Sequence, residues 1–182
     1  MSDESQEKNL AATEPSRAAA PDRVRCFVLT VSDTSTPATD AVGTRVAELL
    51  EKSGHIVICR EIVSDTTTAI ESTTRASVYH RDEPEAIIVI GGVGIGQQDI
   101  TPEALLPLLT KEIPAFGDTL RQLTFAQSGA SALQSRAFAG VLGRTLLFAL
   151  PDEIATAQMA LEKLILPELA NLIREVRPER KK

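Results

Sequence analysis

Three short apolar runs, each followed by a polar turn and a helix-period segment, constrain this chain more than any other feature. They are Arg25–Val31 (RCFVLTV), Ile56–Val63 (IVICREIV) and Ala86–Ile90 (AIIVI), all rich in β-branched residues. The first reads as a buried strand, and the other two as the second and third strands. After the first, Asp40 offers an N-cap, Val42, Val46, Leu49 and Leu50 share one helical face, and Gly54 ends the helix. After the second, Asp65 or Thr66 opens a Thr-rich helix supported by Ile70 and Val78. This alternation predicts an α/β fold in three layers, with a mostly parallel sheet and helices on both faces.

The second half is less regular. Pro107, Pro114 and Gly117 predict short, broken helices between Leu105 and Gln127. Ala137–Val141 and Arg144–Leu150, joined at Leu142-Gly143, predict an antiparallel extension of the sheet. A long helix follows Pro151, with apolar residues at Ile154, Ala157, Leu161, Leu164, Ile165, Leu169 and Leu172, and Pro167 should kink or interrupt it.

The 182 residues, 43% of them hydrophobic, suit one domain, expected over residues 23–176. Residues 1–22 are Ala-, Ser-, Glu- and Pro-rich without periodicity and are expected to form a disordered leader. Residues 177–182 are expected to form a solvated basic tail. A net charge of −6 and only 3% aromatic residues argue against nucleic acid as a partner. No segment reaches the ~20 apolar residues of a membrane span, and the acidic start lacks a secretory signal. A cytoplasmic location is therefore expected, with Cys26 and Cys59 as buried free thiols. Two Cys and two His at these spacings do not make a zinc site. His55 and His80 read as partly exposed loop residues.

The chemistry concentrates in "IIVIGGVGIGQQDITPEAL", Ile87–Leu105. Neither standard nucleotide motif is present: Gln97 takes the third glycine of a dinucleotide fingerprint, and Gln97-Gln98 replace the Lys-[ST] of a P-loop. The setting is nevertheless that of an anion site, since ligands of open α/β sheets lie beyond the carboxyl ends of the strands. Gly91, Gly92, Gly94 and Gly96 allow close backbone approach, and Thr101 and Pro102 suit a helix start. Asp99 has two readings, a carboxylate holding Mg²⁺ against a phosphate or a helix cap.

The loop resembles that of the MoaB/MogA family of molybdenum cofactor biosynthesis proteins, roughly T-G-G-T-G-x-x-x-R-D-x-T-P-E-A. Gly91, Gly92, Gly94, Asp99, Thr101, Pro102, Glu103 and Ala104 match. Further blocks align in order from about Arg25 to Ile173: "LTVSDTSTPATDAVG" from Leu29, "IVSD" from Ile62, "PAFGDTLRQLTF" from Pro114, "QSRAFAGVLGRTLLFALP" from Gln134 and "LEKLILPELANLI" from Leu161. The resemblance implies the molybdopterin-binding fold of that family, assembled as a homotrimer or hexamer. It also implies adenylylation of molybdopterin with Mg²⁺ and ATP. The acidic positions tied to that activity correspond to Asp65 and Asp99, with Asp99 the metal ligand. Gly91, Gly92, Gly94, Thr101, Ser135 and Arg136 are the expected substrate- and phosphate-binding residues. Arg136 is also readable as a surface or inter-subunit salt bridge, and Asp33 and Asp40 as turn and cap residues.

Several positions depart from the family pattern. Ile90 and Val93 replace threonines, Gln98 replaces an arginine, and Asp152-Glu153 replace a small neutral turn. Each change at the loop removes a donor or a charge, and hydrogen bonds to charged groups contribute about 1.5–3 kcal/mol. The two carboxylates at 152–153 either repel a ligand phosphate or, in Asp152, supply a metal ligand. Two functions follow: a working adenylyltransferase, or a catalytically silent paralogue with a pterin-binding, regulatory or structural role.

Overall fold

The computed structural model describes residues 23–178. The expected leader, residues 1–22, and the tail residues 179–182 lie outside that range.

Four strands run parallel. They are β1 (Arg25–Val31), β2 (Ile56–Val63), β3 (Ala86–Ile90) and β6 (Thr145–Leu150). β5 (Phe138–Leu142) pairs antiparallel with β6, and the two-residue β4 (Lys111–Glu112) pairs antiparallel with β5, giving the order β2-β1-β3-β6-β5-β4. The expected antiparallel extension is present, and its second strand also completes the parallel core against β3. The hairpin turns at Gly143-Arg144, with Gly143 at φ 61°.

Every residue of β3 is fully buried, because both of its faces are covered. Ile88 and Ile90 pack with α1 (Ala41–Lys52), α4 (Pro114–Ser128), α5 (Ile154–Ala160) and α6 (Leu169–Val176). Ile87 and Val89 pack with α2 (Thr67–Val78) and α3 (Thr101–Leu105). Burying each such side chain contributes about 1.5–3 kcal/mol. These two cores are the expected three-layer α/β architecture.

Local chemistry explains most of the helix ends. Asp40 caps α1, its Oδ1 accepting from the Gly43 N–H at 2.8 Å, and Thr66 caps α2. Pro167 has no N–H and would press on the carbonyl four residues earlier, so the last helix is interrupted. Leu161–Ile165 widens into π-type turns before α6 begins.

Four expectations need correction. α4 is one 15-residue helix rather than broken pieces, because Pro114 occupies its start and Gly117 lies where β5 approaches. His55 is buried, its Nδ1 accepting the Val24 N–H at 3.3 Å, and burial lowers its pKa. Cys26 is buried as expected, its thiol pushed up to about 12 by burial and by Glu85, but Cys59 is only half-buried. Arg177 is no part of a solvated tail. Its guanidinium donates to the Arg144 carbonyl at 2.8 Å and the Pro84 carbonyl at 3.1 Å, and lies 3.9 Å from the buried Glu85.

A Cβ at position 117 would stand 2.4 Å from the Ala137 carbonyl oxygen, a backbone atom that cannot swing aside. Gly117→Ala is expected to destabilise the fold by about 1–3 kcal/mol, read as a lower urea midpoint at unchanged slope.

Candidate functional site

The chain passes from β1 outward to β2 and then back across β1 to β3, so the order reverses between β1 and β3. Open α/β sheets bind ligands at such a reversal, beyond the strand carboxyl ends. A cleft of about 660 Å³ lies there, lined by Val31, Ser32, Asp33 and Thr34 after β1 and by Asp65 after β2. Gly92, Gly96, Gln97, Gln98 and Asp99 after β3, and Asp152 after β6, complete the lining. A second cleft of about 360 Å³ adjoins it and shares Asp99 and Asp152. Thr124, Ser128, Ser131, Ser135 and Thr156 line this one, together with Gly94 and Glu153.

The electrostatics are one-sided. Asp33, Asp65, Asp99 and Asp152 line the larger cleft, and the lining of neither cleft includes Lys, Arg or His. Asp65 is half-buried and its pKa is raised, first by that burial and then by repulsion from Asp33, Asp99 and Asp152. Asp33 Oδ1 accepts the Asp65 N–H at 3.0 Å, which ties the loop after β1 to the end of β2. Asp40 is spent differently. It is buried, accepts from the Thr30 hydroxyl at 3.0 Å and pairs with Arg60 at 3.0 Å.

The glycine loop is shaped by its own contents. Gly91 and Gly92 have φ of 99° and 66°, and a Cβ on them would strike the Val31 carbonyl oxygen and the Thr101 hydroxyl. Thr101 is fully buried, its hydroxyl donating to the Gly91 carbonyl at 2.9 Å. It closes the loop and lines neither cleft, and Ile100 takes the cap position of α3. Asp99 does not cap α3 either: its Oδ2 accepts the Gly96 N–H at 2.7 Å. A Cβ at Gly94 or Gly96 would lie 2.5 or 2.9 Å from that oxygen. These two glycines make room for a carboxylate.

Of the other residues singled out by sequence, Gly92 lines the larger cleft, Gly94 and Ser135 the smaller, and Gly91 neither. Arg136 lines neither; it donates to the Gly94 carbonyl at 2.6 Å, to the Asp99 carbonyl and to the Glu103 carboxylate. The hydrogen bond from Arg136 holds the Glu103 carboxyl below the usual range. Ile90 is fully buried and lines neither cleft, so a threonine missing there takes no donor from the cleft. Val93 is also buried but lines the smaller cleft, and Gln98 lines the larger. Asp33 is the site residue that local sequence undervalued; only its position after β1 pointed to it.

The comparisons with known proteins agree with this fold. A family model described as "Probable molybdopterin binding domain" matches residues 27–171. The chain belongs to this family. The Bacillus subtilis Molybdenum cofactor biosynthesis protein B is 41% identical over 162 residues, covering 88% of this chain and 95% of the relative. A crystal structure of a protein of that name superposes with a TM-score of 0.84 at 39% identity, covering 88% and 99% of the two chains. The MoaB structure from Thermus thermophilus gives 0.76 at 32% identity, covering 85% and 97%. The fold is that of MoaB/MogA proteins, and the chain is a molybdenum cofactor biosynthesis protein of the MoaB/MogA type.

Crowded carboxylates make the site intrinsically destabilising. Because Asp65 holds its proton more tightly folded than unfolded, its ionised form works against the fold above its raised pKa. Asp65→Asn is expected to raise the melting temperature at neutral pH. The gain should fade as pH falls through the folded pKa and vanish below the ordinary value of 3.8, measured by melts across that range.

Proposed function

We propose that this protein binds molybdopterin and joins the AMP of Mg-ATP to its terminal phosphate. One observation carries the reading: Asp65 and Asp99, from the ends of different parallel strands, line one cleft whose wall is shared with a second. Two adjoining clefts suit two substrates, with their reacting phosphates meeting at the shared wall. A phosphate oxygen of molybdopterin attacks the α-phosphorus of ATP, and pyrophosphate leaves with the electrons of the broken P–O bond. No protein nucleophile is needed.

The donor set fits Mg²⁺, which takes oxygen ligands and characteristically uses one or two carboxylates together with substrate phosphates. Among the described residues no cluster of three or more His, Cys, Asp or Glu forms a complete protein cage. Asp65 and Asp99 would hold the ion, and it would offset the charge that gathers on the phosphates. Gln97 and Gln98 supply neutral amide donors at the mouth, and Ser135 lies with the other hydroxyls that would receive a polar heterocycle.

The acidic lining favours a second reading, a paralogue that keeps the pterin contact and has lost the nucleotide. Asp152 separates the two. Charges ~5 Å apart at an effective dielectric of ~20 repel by about 3 kcal/mol, and solvent reduces that at an exposed residue such as Asp152. We also take the protein to be cytoplasmic and to assemble as a homotrimer or hexamer, which light scattering tests. Exposed Phe125, Leu133 and Ile95 supply apolar surface for such contacts, and no helix among the described residues is long and apolar enough to cross a membrane.

Calorimetric titration with molybdopterin and then Mg-ATP tests the function, with AMP transfer followed alongside. Binding of both, with transfer lost in Asp99→Asn, is the expected result. Asp152→Asn is expected to tighten Mg-ATP by about tenfold, the equivalent of ~1.4 kcal/mol. Pterin binding without nucleotide binding would establish the silent paralogue. Absence of both at near-millimolar concentration would remove either reading.

A further inference from the structure

We propose that Arg136 is a positioning residue of this cleft. Its guanidinium ties Gly94 to Asp99 from behind the glycine loop and so fixes the backbone from which the Asp99 carboxylate reaches the ligand. The proposal rests on the reading of Asp99 as a ligand-binding residue. It differs from the family-based expectation that Arg136 meets a phosphate.

Residues 91–100 contain neither helix nor strand, so their backbone groups must be held by other means. The base is closed by Thr101, whose N–H donates to the Gly92 carbonyl at 3.0 Å and whose hydroxyl donates to Gly91. The far turn is closed from within, with the Asp99 N–H donating to the Gly96 carbonyl at 3.1 Å and the Gly96 N–H returning to Asp99 Oδ2. Neither tie fixes the distance across the loop. Arg136 does so from another part of the chain, just ahead of β5. Its own N–H donates to the Val93 carbonyl at 2.7 Å, Nε to the Gly94 carbonyl at 2.6 Å, and Nη2 to the Asp99 carbonyl. Nη1 donates to the Glu103 carboxylate, whose second oxygen is 3.3 Å from Nη2. One planar group thus spans both limbs of the loop and the first turn of α3.

The direction of those bonds decides the role. Gly94 and Asp99 offer Arg136 their carbonyls, and Arg136 lines neither cleft. Residue Asp99 lines both. The cation holds the loop from outside the clefts, while the residue it anchors borders them. A fork of fixed N–H directions makes all three contacts at once, whereas a lysine ammonium is a single point on a flexible stem.

The test uses the full chain with Arg136→Lys and Arg136→Gln. Amide hydrogen exchange is compared between peptides covering the loop and peptides covering β1. Both variants are expected to exchange about tenfold faster in the loop alone. AMP transfer should lose about a hundredfold in kcat, as displacement of a reacting group does, with KM for Mg-ATP changed by less than about threefold. A phosphate ligand would give the opposite split, a raised KM, with Lys restoring much of the loss. That pattern, unchanged loop exchange, or a loosened loop with normal kcat would each overturn the proposal. Should neither variant fold, Glu103→Gln carries the test. It removes one anchor of the guanidinium, and faster exchange confined to the loop is expected, while no change would overturn the proposal. A wild-type protein that transfers no AMP would sink the functional reading, and loop exchange would still decide the role of Arg136.

Discussion

Burial of β3 on both faces is the constraint from which the rest of the molecule follows. A strand with no exposed residue needs cover above and below, and the crossover helices between its parallel neighbours supply that cover here. Parallel neighbours end together, and everything polar that follows them collects at one edge of the sheet. Asp33, Asp65, Asp99 and Asp152 come from the ends of four different strands, yet line a single cleft. Their meeting is a consequence of topology rather than of any attraction between them. Four carboxylates repel, and the apolar core holds them together against that repulsion.

The glycine loop satisfies a second constraint, that backbone groups away from water need partners. A phosphate is usually invoked for a loop with this many glycines. Here the protein supplies the occupants itself: the Asp99 carboxylate lies against Gly94 and Gly96, and the Thr101 hydroxyl lies against Gly92. The absent threonine at 90 is also less consequential than its sequence position suggests, because that side chain belongs to the core, whereas Val93 borders the smaller cleft as well. Gln98, Asp152 and Glu153 do line the clefts.

Much of this was legible in the sequence, for identifiable reasons. The three apolar runs gave the parallel strands, Asp40 gave the start of α1, and Pro167 gave the break before α6. The ordered blocks gave the family. What escaped reading were contacts between distant segments. Gly117 looks like a helix breaker until Ala137 is seen beside it. Arg177 looks like a solvated tail until the buried Glu85 is placed within reach. His55 looks like a loop residue until the Val24 N–H requires an acceptor. Thr101 reads as a ligand contact, and Arg136 equally as a phosphate contact or a salt bridge, because motif position carries no information about which side of a loop a side chain takes. The ion pair with Glu103 matches the second reading of Arg136.

That last distinction bears on how sites of this kind can change. If cations of the loop face inward and carboxylates face the ligand, shape and ligand charge are set by separate residues. Arg136 and Glu103 maintain the shape with no part in the lining of the clefts. Asp152 and Gln98 alter the lining without touching the ties that hold the loop. A substitution at either of the latter can retune affinity for an anion while the fold and the Asp65–Asp99 geometry persist. Such independence lets the structural ties of the loop coexist with a cleft this acidic, and under the proposed function it makes the cleft lining, not the glycine pattern, the place to test for activity.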